Sequence, residues 1–509
     1  MIEGIKIQGI KTPFARGLVM DRGVHYIPHS LTPYARNIRL RNGVSVRREG
    51  YTRIAKGSQQ APITNLISVQ ESLFAITQQK LYRVNMQDFS LDEVNTQALG
   101  ENIATLKYDK YLVILNGAND GKVIDTTNNT ITTLTIEGGA KPRFGEVYEQ
   151  CIYLAGGGRK NNILYKSTVW GDGSQFPVFT TPKEAEQIPF RSRITGMAGT
   201  RERLFVWTED SIEVLQDVNT GGNLHKGSIP IAGANALANP NMVVKADDKL
   251  FFWTQDNQMK SLNYVQGVSE DAVGDISHRE DMSIKGFIDL LDEDQSTSFG
   301  YYHKKNKTIH WHLRLKGEPY TTIVLVYDLD TDSFLIDTNK YFTCVANHKL
   351  GYYAGSANEQ IVYRDERGNA DDGQAIQRSR KTAPMSLGSP ISRKERRQIN
   401  IYGEKEDDVE IGVDVLVDGK TVFSGKIQSS QGAIAGSTSV ATATAPLGYE
   451  VQPGGIKPFE YVITRGFLRA RGKDIQIIFS GGSFGECCLT GLEIGYKDLG
   501  EYDTADRAK

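Results

Sequence analysis

Cysteine is scarce in this chain: 509 residues contain only Cys151, Cys344, Cys487 and Cys488. No two of them form a CxxC pair, and none has a neighbouring histidine at zinc-site spacing. A disulfide framework for a chain of this length would need more cysteines. We therefore expect free, buried thiols in a reducing compartment, with the adjacent Cys487 and Cys488 on opposite faces of a strand.

The chain also lacks an excess of either charge, since 59 Lys and Arg face 61 Asp and Glu, for a net charge of −2. A protein that binds DNA regardless of sequence usually carries a clear basic excess. No run approaches the ~18 apolar residues of a membrane span, and the N-terminus has no continuous apolar segment of the secretory type. These absences predict weak DNA contact, no membrane span, and synthesis in a cytosol.

Catalytic motifs are missing as well. There is no phosphate-binding P-loop, HExxH, GxSxG or GxGxxG pattern in a suitable context. The glycine-rich run GGGRK from Gly156 is interpreted as a turn between strands. The acidic runs at Asp292 and Glu404 are interpreted as solvated turns rather than as the carboxylate pair of a glycosidase.

One histidine pair is a candidate metal site, because His310 and His312 flank Trp311 and share one face of a predicted strand. Two histidines on one face are a metal-ligand arrangement in principle, but no third ligand is found nearby in the sequence. A packed or surface pair is the favoured interpretation. The sequence therefore predicts no catalytic, cofactor-binding or metal-binding residues, and a protein that is not an enzyme.

The chain does contain a repeated pattern, which occurs six or seven times between Thr64 and Glu366. Each copy consists of a predicted strand, a charged turn, a second strand rich in aromatic residues, another turn and a third strand. Each apolar run has four to six residues, which suits strands and is too short for stable helices. The residues that open the middle strand of each copy are Leu73, Leu112, Ile152, Leu204, Leu250, Ile309 and Gly351.

The copies follow one another at intervals of 39, 40, 52, 46, 59 and 42 residues. These intervals are close to the ~40 to 50 residue period of propeller blades. The sequence predicts an all-β fold, with a β-propeller of six or seven blades followed by a smaller β-sandwich. An irregular sandwich with coincidental spacing is the alternative.

The predicted domains are lead-in strands in residues 1–60, the propeller in 61–366, a linker in 367–393 and the sandwich in 394–509. The Asn42-Gly43 turn in the lead-in predicts a hairpin that either starts the first blade or closes the ring with the last one. Residues 367–393 are polar and punctuated by Gly and Pro, which is typical of linkers.

The sandwich prediction comes from strict alternation, which places one set of valines and isoleucine on a single face before a hairpin turn at Asp418-Gly419. This set is Val409, Ile411, Val413, Val415 and Val417. A segment of small residues interrupts the domain at 429–448. It is interpreted as a flexible loop, with ordering against a partner as the alternative.

Basic residues cluster in and after the predicted linker. Such a run usually marks a solvated face, and contact with an acidic neighbouring subunit is the alternative. The residues are Arg378, Arg380, Lys381, Arg393, Lys394, Arg396 and Arg397.

Taken together, these features resemble the β-propeller family of tail hub and nozzle proteins in short-tailed, podovirus-type bacteriophages. That family includes the packaged-DNA stabilisation protein of P22-like phages and the tail tubular protein B of T7-like phages. The resemblance is carried by AxNIRLRNGVSVRREGYTRI at Ala35 to Ile54, by ILYKSTVWGDGSQF at Ile163 to Phe176, and by the C-terminal sandwich behind a basic segment.

The resemblance implies a structural virion protein located in the tail and made in the bacterial cytoplasm. It implies a ring, with six subunits expected, below the portal and adaptor, which retains packaged DNA and conducts it during ejection. Expected partners are further copies of the chain, the adaptor or portal-side tail protein, tail needle, fibre or spike proteins, and double-stranded DNA in transient, non-specific passage. The family supplies no catalytic residues.

Two other functions fit a propeller. A glycan-binding or glycan-cleaving propeller would recognise the host cell surface, with exposed aromatic residues as sugar platforms. An interaction scaffold of the WD40 type is ranked last, because the Gly-His and Trp-Asp signature is missing. The candidate platform residues are Tyr301, Tyr302, Trp311, Tyr352 and Tyr353.

Overall fold

The structure is a computed structural model, and the residues it describes are 6–10, 13–20, 27–58, 61–95, 99–100, 103–158, 161–168, 176–179, 186–201, 203–217, 224–226, 231–232, 236–247, 249–263, 273–279, 282–387, 394–405, 409–427, 457–464, 471–483 and 487–499. The predicted loop at 429–448 lies outside them.

Five short strands precede the repeats: β1 (Lys6–Ile10), β2 (Tyr34–Arg36), β3 (Ile38–Arg41), β4 (Val44–Arg47) and β5 (Thr52–Lys56).

The repeat region contains β6 (Asn65–Val69), β7 (Ser72–Ile76), β8 (Leu81–Val84), β9 (Leu91–Asn95), β10 (Ala104–Tyr108), β11 (Tyr111–Leu115), β12 (Lys122–Asp125), β13 (Thr130–Thr133), β14 (Phe144–Tyr148), β15 (Cys151–Ala155), β16 (Ile163–Lys166), β17 (Glu186–Pro189), β18 (Ile194–Gly199), β19 (Leu204–Thr208), β20 (Ser211–Asp217), β21 (Leu224–Lys226), β22 (Ile231–Ala232), β23 (Val243–Ala246), β24 (Lys249–Trp253), β25 (Met259–Asn263), β26 (Val273–Asp275), α1 (Lys285–Ile288), β27 (Phe299–His303), β28 (Thr308–Leu313), β29 (Ile323–Asp328), β30 (Ser333–Thr338), β31 (Phe342–His348), β32 (Gly351–Ser356) and β33 (Ile361–Asp365).

The C-terminal part contains β34 (Ala370–Asp371), β35 (Gln374–Lys381), β36 (Lys394–Lys405), β37 (Ile411–Val417), β38 (Lys420–Ile427), β39 (Lys457–Thr464), β40 (Arg471–Gly472), β41 (Ile475–Ser483) and β42 (Cys487–Asp498).

The repeats fold into seven antiparallel blades within the described residues. Blades one to six take four consecutive strands each, beginning at β6, β10, β14, β18, β23 and β27, and β22 adds a short fifth strand to blade four. The inner strands contact each other from blade one to blade four and from blade five to blade seven, and β31 of blade seven contacts β6 of blade one. The predicted all-β propeller is confirmed, and the blade count is seven.

A strand from near the N-terminus closes the ring. Blade seven consists of β31, β32, β33 and, at its outer edge, β5, in which Ala55 lies opposite Val362. The last blade therefore combines three strands from the end of the repeat region with one that precedes it.

The predicted middle strands are found within one residue of their expected starts in every blade, since β7, β11, β15, β19, β24, β28 and β32 begin there. Their apolar residues are buried, as Leu73, Leu112 and Ile152 illustrate at 0% exposure each. Burial on both faces explains why these strands are continuously apolar rather than alternating. The repeat is thus the core of the propeller.

The sandwich has two sheets. One contains β3, β4, β42, β36 and β39 in that order, with β1 beside β42 and β40 beside β36. The other contains β2, β35, β41, β37 and β38. The alternating residues from Val409 to Val417 are buried in the space between the sheets, as predicted.

The predicted Asn42-Gly43 hairpin forms, with φ of 51° and 78° at the two residues, as a tight two-residue turn requires. Its expected place in a blade was wrong, however. The hairpin of β3 and β4 pairs with β42, through Ser45 opposite Leu489, and so belongs to the sandwich. The following strand, β5, closes the ring instead.

The linker predicted at 367–393 contains a strand, which corrects that prediction. β35 pairs with β2 over residues 379–381 and with β41 over residues 376–381. Its inward-facing set includes Ile376 at 0% exposure and Arg380 at 2%, alternating with outward polar residues. A buried arginine in an inward position made this strand resemble a solvated segment.

One sheet continues from the propeller into the sandwich. The outer strand of blade six, β30, pairs in parallel with β2 at Arg36 and Ile336, and β2 pairs with β35. The strand order therefore runs without interruption from β27 on the propeller axis to β38 at the sandwich edge. The only α-helix of the described residues, α1, has four residues, and no described helix has the length and apolar character to cross a membrane.

Candidate functional site

Seven charged side chains form a buried cluster where the sandwich, blade six and blade seven meet. Three are cations and four are carboxylates, so the cluster carries one net negative charge when the nearby histidines are neutral. Its members, all less than 9% exposed, are Arg39, Arg48, Lys340, Asp337, Asp365, Glu366 and Asp371. We call them the joint cluster.

Arg39 on β3 binds Asp337 on β30 in a two-pronged arrangement. Its Nη1 and Nη2 donate to the two carboxylate oxygens of Asp337, each at 2.7 Å. Nη2 also donates to Oε1 of Glu366 at 3.2 Å. The planar guanidinium fits a carboxylate in this geometry, which fixes orientation as well as charge.

Arg48, which follows β4, makes the second two-pronged pair, with Asp371 on β34 at 2.8 and 2.6 Å. Its Nε donates to Oδ1 of Asn37 at 3.0 Å. Burial raises the pKa of Asp371, and the opposing influence of Arg48 is smaller. The Arg39–Asp337 pair thus joins the sandwich to blade six, whereas the Arg48–Asp371 pair links two segments on the sandwich side of the junction.

Lys340 completes the cluster from the turn after β30. Its Nζ lies 2.8 Å from Oδ1 of Asp365 and 2.6 Å from Oε1 of Glu366. Burial alone would raise the pKa of Glu366, but Lys340 and Arg39 outweigh it and hold this pKa well below its usual range.

A polar chain extends from the cluster into blade six. The Tyr301 hydroxyl donates to Oδ2 of Asp365 at 2.7 Å, and it lies 3.1 Å from Nδ1 of His310. Nε2 of His310 lies 2.9 Å from the Thr308 hydroxyl. Because the tyrosine proton is used on Asp365, Nδ1 of His310 carries the proton and Nε2 accepts from Thr308. Burial lowers the pKa of His310 far below its ordinary value, so the ring is neutral.

Three of these residues could in principle hold a metal ion, since ligand atoms of His310, Asp337 and Glu366 lie within 4.8 Å of one another. Their ligand atoms are already used, however. Both oxygens of Asp337 accept from Arg39, and Oε1 of Glu366 accepts from Lys340 and Arg39. A divalent cation would have to enter among three buried positive charges. The donor set does not fit a metal, and the arrangement is a network of ion pairs.

A second candidate site is the cavity on the propeller axis, which has a volume of about 570 Å³ and is lined by residues from all seven inner strands. Small residues create the space: Ala198 and Gly199 on β18, and Gly300 on β27. The volume is in the range of small-molecule pockets.

Among the described residues that line this cavity, Glu146 on β14 is the one carboxylate. It accepts a hydrogen bond from the backbone N–H of Gly199, and it lies within electrostatic range of Lys245 on β23. Burial raises the pKa of Glu146 to about 7, and the opposing influences of Lys245 and Gly199 are smaller. A glycosidase needs two carboxylates at the reacting bond. The lining of this cavity supplies one.

The predicted histidine pair is buried, as a packed pair would be. His312 stacks on Phe299 with ring centroids 4.4 Å apart, and burial lowers its pKa well below the usual value. His310 is held by Tyr301 and Thr308. The two rings serve the packing and polar network of blade six.

The proposed sugar platforms are not exposed, which corrects that expectation. Trp311 and Tyr353 are buried, at 0% and 1% exposure. The other three tyrosines are partly buried and use their hydroxyls within the protein: Tyr301 on Asp365, Tyr302 on Asp247 and Tyr352 on the Lys304 N–H.

The basic residues do not form one surface. Arg380 and Lys394 are buried, at 2% and 0% exposure, and Arg378 and Lys381 are partly buried. Arg393 lies outside the described residues, as do the side chains of Arg396 and Arg397. A single basic patch is therefore not assembled from the described members.

Two smaller predictions agree with the described structure. Gly156 and Gly158 have φ of 82° and 64° in the turn after β15, so this glycine run forms a loop between strands. None of the four cysteines forms a disulfide; Cys487 is buried and Cys488 is partly exposed, as opposite faces of β42 require.

Sequence reasoning missed the joint cluster and Glu146. A signal was present in the charges that interrupt apolar strands, such as Arg39 in IRLR and Asp337 in SFLIDT. A charge at an inward strand position needs a buried partner. Pattern alone does not say which distant charge supplies it.

No protein-family model matches this chain, and no curated protein matches it. Solved structures with a similar fold include a chain of "Crystal Structure of Mitotic Checkpoint Complex", at 10% identity and a TM-score of 0.40, covering 62% of this chain and 93% of that one. The "WD40 beta propeller domain of Doa1" is similar at 12% identity and a TM-score of 0.40, covering 62% and 96%. The "computationally designed Ika8 protein" is similar at 10% identity and a TM-score of 0.38, covering 62% and 99%.

Proposed function

We propose that this chain is a structural subunit of a short bacteriophage tail. In this proposal it assembles into a ring, of six copies, below the portal and adaptor. The ring retains packaged DNA in the virion and conducts it during ejection. Other tail proteins, such as a needle, fibres or spikes, attach to it.

The observation that carries the proposal is the continuous connection between propeller and sandwich. A sheet that is continuous from β27 to β38 and the buried joint cluster hold the two parts together. Most proteins with two domains joined by a small polar interface permit relative motion. A tail protein that must keep its shape against packaged DNA benefits from a connection that restricts this motion.

The axial cavity supports a further detail. At about 570 Å³ it has the size of a small-molecule pocket, and it is far too small for duplex DNA to pass along the propeller axis. In our proposal DNA therefore passes through the lumen between subunits. The balanced charge of 59 basic against 61 acidic residues suits such a lumen, because strong phosphate binding would retard transit.

The first experiment measures the mass of the purified protein, alone and mixed with the adaptor of the same phage, by native mass spectrometry and negative-stain microscopy. Six copies of the 56.4 kDa chain give a ring of about 338 kDa. A chain that remains monomeric in both samples, with no ring in the images, contradicts the proposal.

A second experiment tests the role of the joint. Particles that carry Asp337→Asn should release their DNA at a lower temperature than wild-type particles, as followed by a DNA-binding dye during heating. Lys307→Ala is the matched control, because the Lys307–Asp330 pair is exposed, at 55% and 62% of the two side chains. Equal release temperatures for the two variants, despite a measured loss of stability in purified Asp337→Asn, would contradict a role of the joint cluster in DNA retention.

Incubation of the protein with host polysaccharide, followed by a reducing-end assay, addresses the glycan-cleaving alternative. Because the cavity lining offers one carboxylate, no release of sugar is expected. Sugar release that is lost in Glu146→Gln would favour the enzyme instead.

A further inference from the structure

Two arginines on β35 point into the sandwich interior. Arg380 is 2% exposed; its Nη1 and Nη2 donate to the carbonyl oxygens of Phe14 and Arg16 at 3.1 and 2.8 Å. Its guanidinium also lies over the Phe14 ring, 5.4 Å from the centroid. Its Nε is buried and has no hydrogen-bond partner among the described residues.

The second arginine, Arg378, lies two residues away on the same face of the strand. Within the described ranges, its Nη1 reaches the carbonyl oxygen of Cys487 alone, at 3.5 Å, and its buried Nη2 has no partner. Two N–H groups of neighbouring guanidinium groups are thus left without an acceptor in the part of the protein that the structure describes. A buried donor that lacks an acceptor is costly, and water or an ion commonly fills the role.

Neither arginine has a carboxylate partner among the described residues, unlike Arg39 and Arg48 in the joint cluster. Burial is the one cause acting on Arg380, and it lowers the pKa of this side chain to about 9. A buried cation with no counter-charge is unfavourable unless something compensates it. The two carbonyls and the ring face compensate in part, but none of them carries a charge.

A small cavity lies beside both arginines, between the two sheets of the sandwich. Its volume is about 30 Å³, and its lining includes Ser45, Cys487 and apolar side chains such as Phe479. This space is large enough for one water molecule or one monatomic ion. Arg378, which is partly exposed, also lines a larger groove together with Gln377, Glu410 and Lys426.

We propose that this cavity binds one halide-sized monovalent anion, chloride in the cell, between Nε of Arg380 and Nη2 of Arg378. The anion supplies both the missing acceptor and the missing negative charge. Because Arg380 also holds the carbonyls of Phe14 and Arg16, the anion stabilises the attachment of the N-terminal segment to the sandwich.

Chloride-dependent unfolding of the full chain tests the proposal. The midpoint of thermal unfolding should rise with the logarithm of chloride concentration, relative to sodium gluconate at equal ionic strength, because a ligand that binds only the folded state stabilises it by mass action. Gluconate is too large for the cavity. In Arg380→Met, the difference between the two salts should disappear.

Arg378→Gln, at a partly exposed position, provides a second variant if Arg380→Met does not fold, and it should reduce the same difference. Lys307→Ala serves as the control and should keep it in full. A crystal grown in bromide gives an independent readout, since an anomalous peak should lie in contact with both nitrogens. Equal midpoints in the two salts for the wild-type chain, a chloride effect that persists in both arginine variants, or a bromide crystal with no anomalous peak in the cavity would overturn the assignment.

Discussion

The substitution Asp337→Asn should destabilise the protein more than any exposed charge substitution. Asp337 is 0% exposed, and both its oxygens accept from Arg39 at 2.7 Å. Asparagine keeps the shape but removes the charge and one acceptor. Arg39 is then left buried without its main partner, and removing one member of a buried pair costs about 3–5 kcal/mol.

Charged residues near Asp337 also affect the size of this loss. Nε of Arg48 lies 3.9 Å from Oδ1 of Asp337, and Nζ of Lys340 lies 4.0 Å from Oδ2, so both lose a nearby negative charge as well. Glu366 still accepts from Arg39 and Lys340, which keeps the loss below that of an isolated charge. We therefore expect a loss of about 4 kcal/mol in the free energy of unfolding.

Urea unfolding followed by tryptophan fluorescence measures this loss, because Trp253 and Trp311 are buried in the propeller core beside blade six. Lys307→Ala, which breaks an exposed pair, should cost less than about 1 kcal/mol. The double variant Arg39→Met/Asp337→Leu should recover part of the loss, since it leaves no unpaired charge from this pair. A loss of less than 1 kcal/mol in Asp337→Asn, similar to that of the control, would refute the reasoning.

Three further substitutions test other parts of the structure by urea unfolding. Gly300→Ala should lower the free energy of unfolding by about 1–3 kcal/mol through overpacking, because its Cβ would lie 2.3 Å from a ring atom of Trp311. Gly274→Ala is the control, since its Cβ meets nothing closer than 3.5 Å, and its stability should differ from wild type by less than about 0.5 kcal/mol. Equal losses in the two variants would contradict the overpacking. Tyr301→Phe should cost about 1–3 kcal/mol, because it leaves a buried carboxylate oxygen without its donor; an unchanged midpoint would show that the hydroxyl is dispensable. Glu146→Gln should leave the free energy of unfolding unchanged at pH 4 and raise it by about 1–3 kcal/mol at pH 8. The reason is that the pKa of Glu146 in the folded protein, about 7, lies above the ordinary 4.5, so the wild-type protein loses stability as pH rises between these values. A stability difference that does not vary with pH would contradict the raised pKa.

The propeller was predictable because each blade is a local structure. Short apolar runs separated by charged turns predict antiparallel strands, and the repeat period predicts blades. The turn at Asp109 illustrates this, since it links β10 to β11 with a φ of 50°. Neighbouring strands along the chain are neighbours in the sheet, so local pattern is sufficient.

Contacts between distant segments were not predictable in the same way. The hairpin at Asn42 was recognised from its turn, but its partner β42 lies more than 440 residues away. β35 was read as a linker because Arg378 and Arg380 occupy inward positions that apolar residues normally fill. Both errors concern the sandwich, which draws its strands from the two ends of the chain.

This arrangement makes ring closure and sandwich assembly one event. Arg48 in the joint cluster is only four residues before Thr52, the first residue of β5, which closes blade seven. On the other side, Glu366 of the cluster directly follows β33, the strand with which β5 pairs. Displacement of the sandwich would therefore disturb β5, the strand that closes the propeller. Loss of the β5–β33 pairing would in turn disturb the joint cluster, which holds the sandwich. It follows that the two domains should unfold in a single transition rather than in sequence.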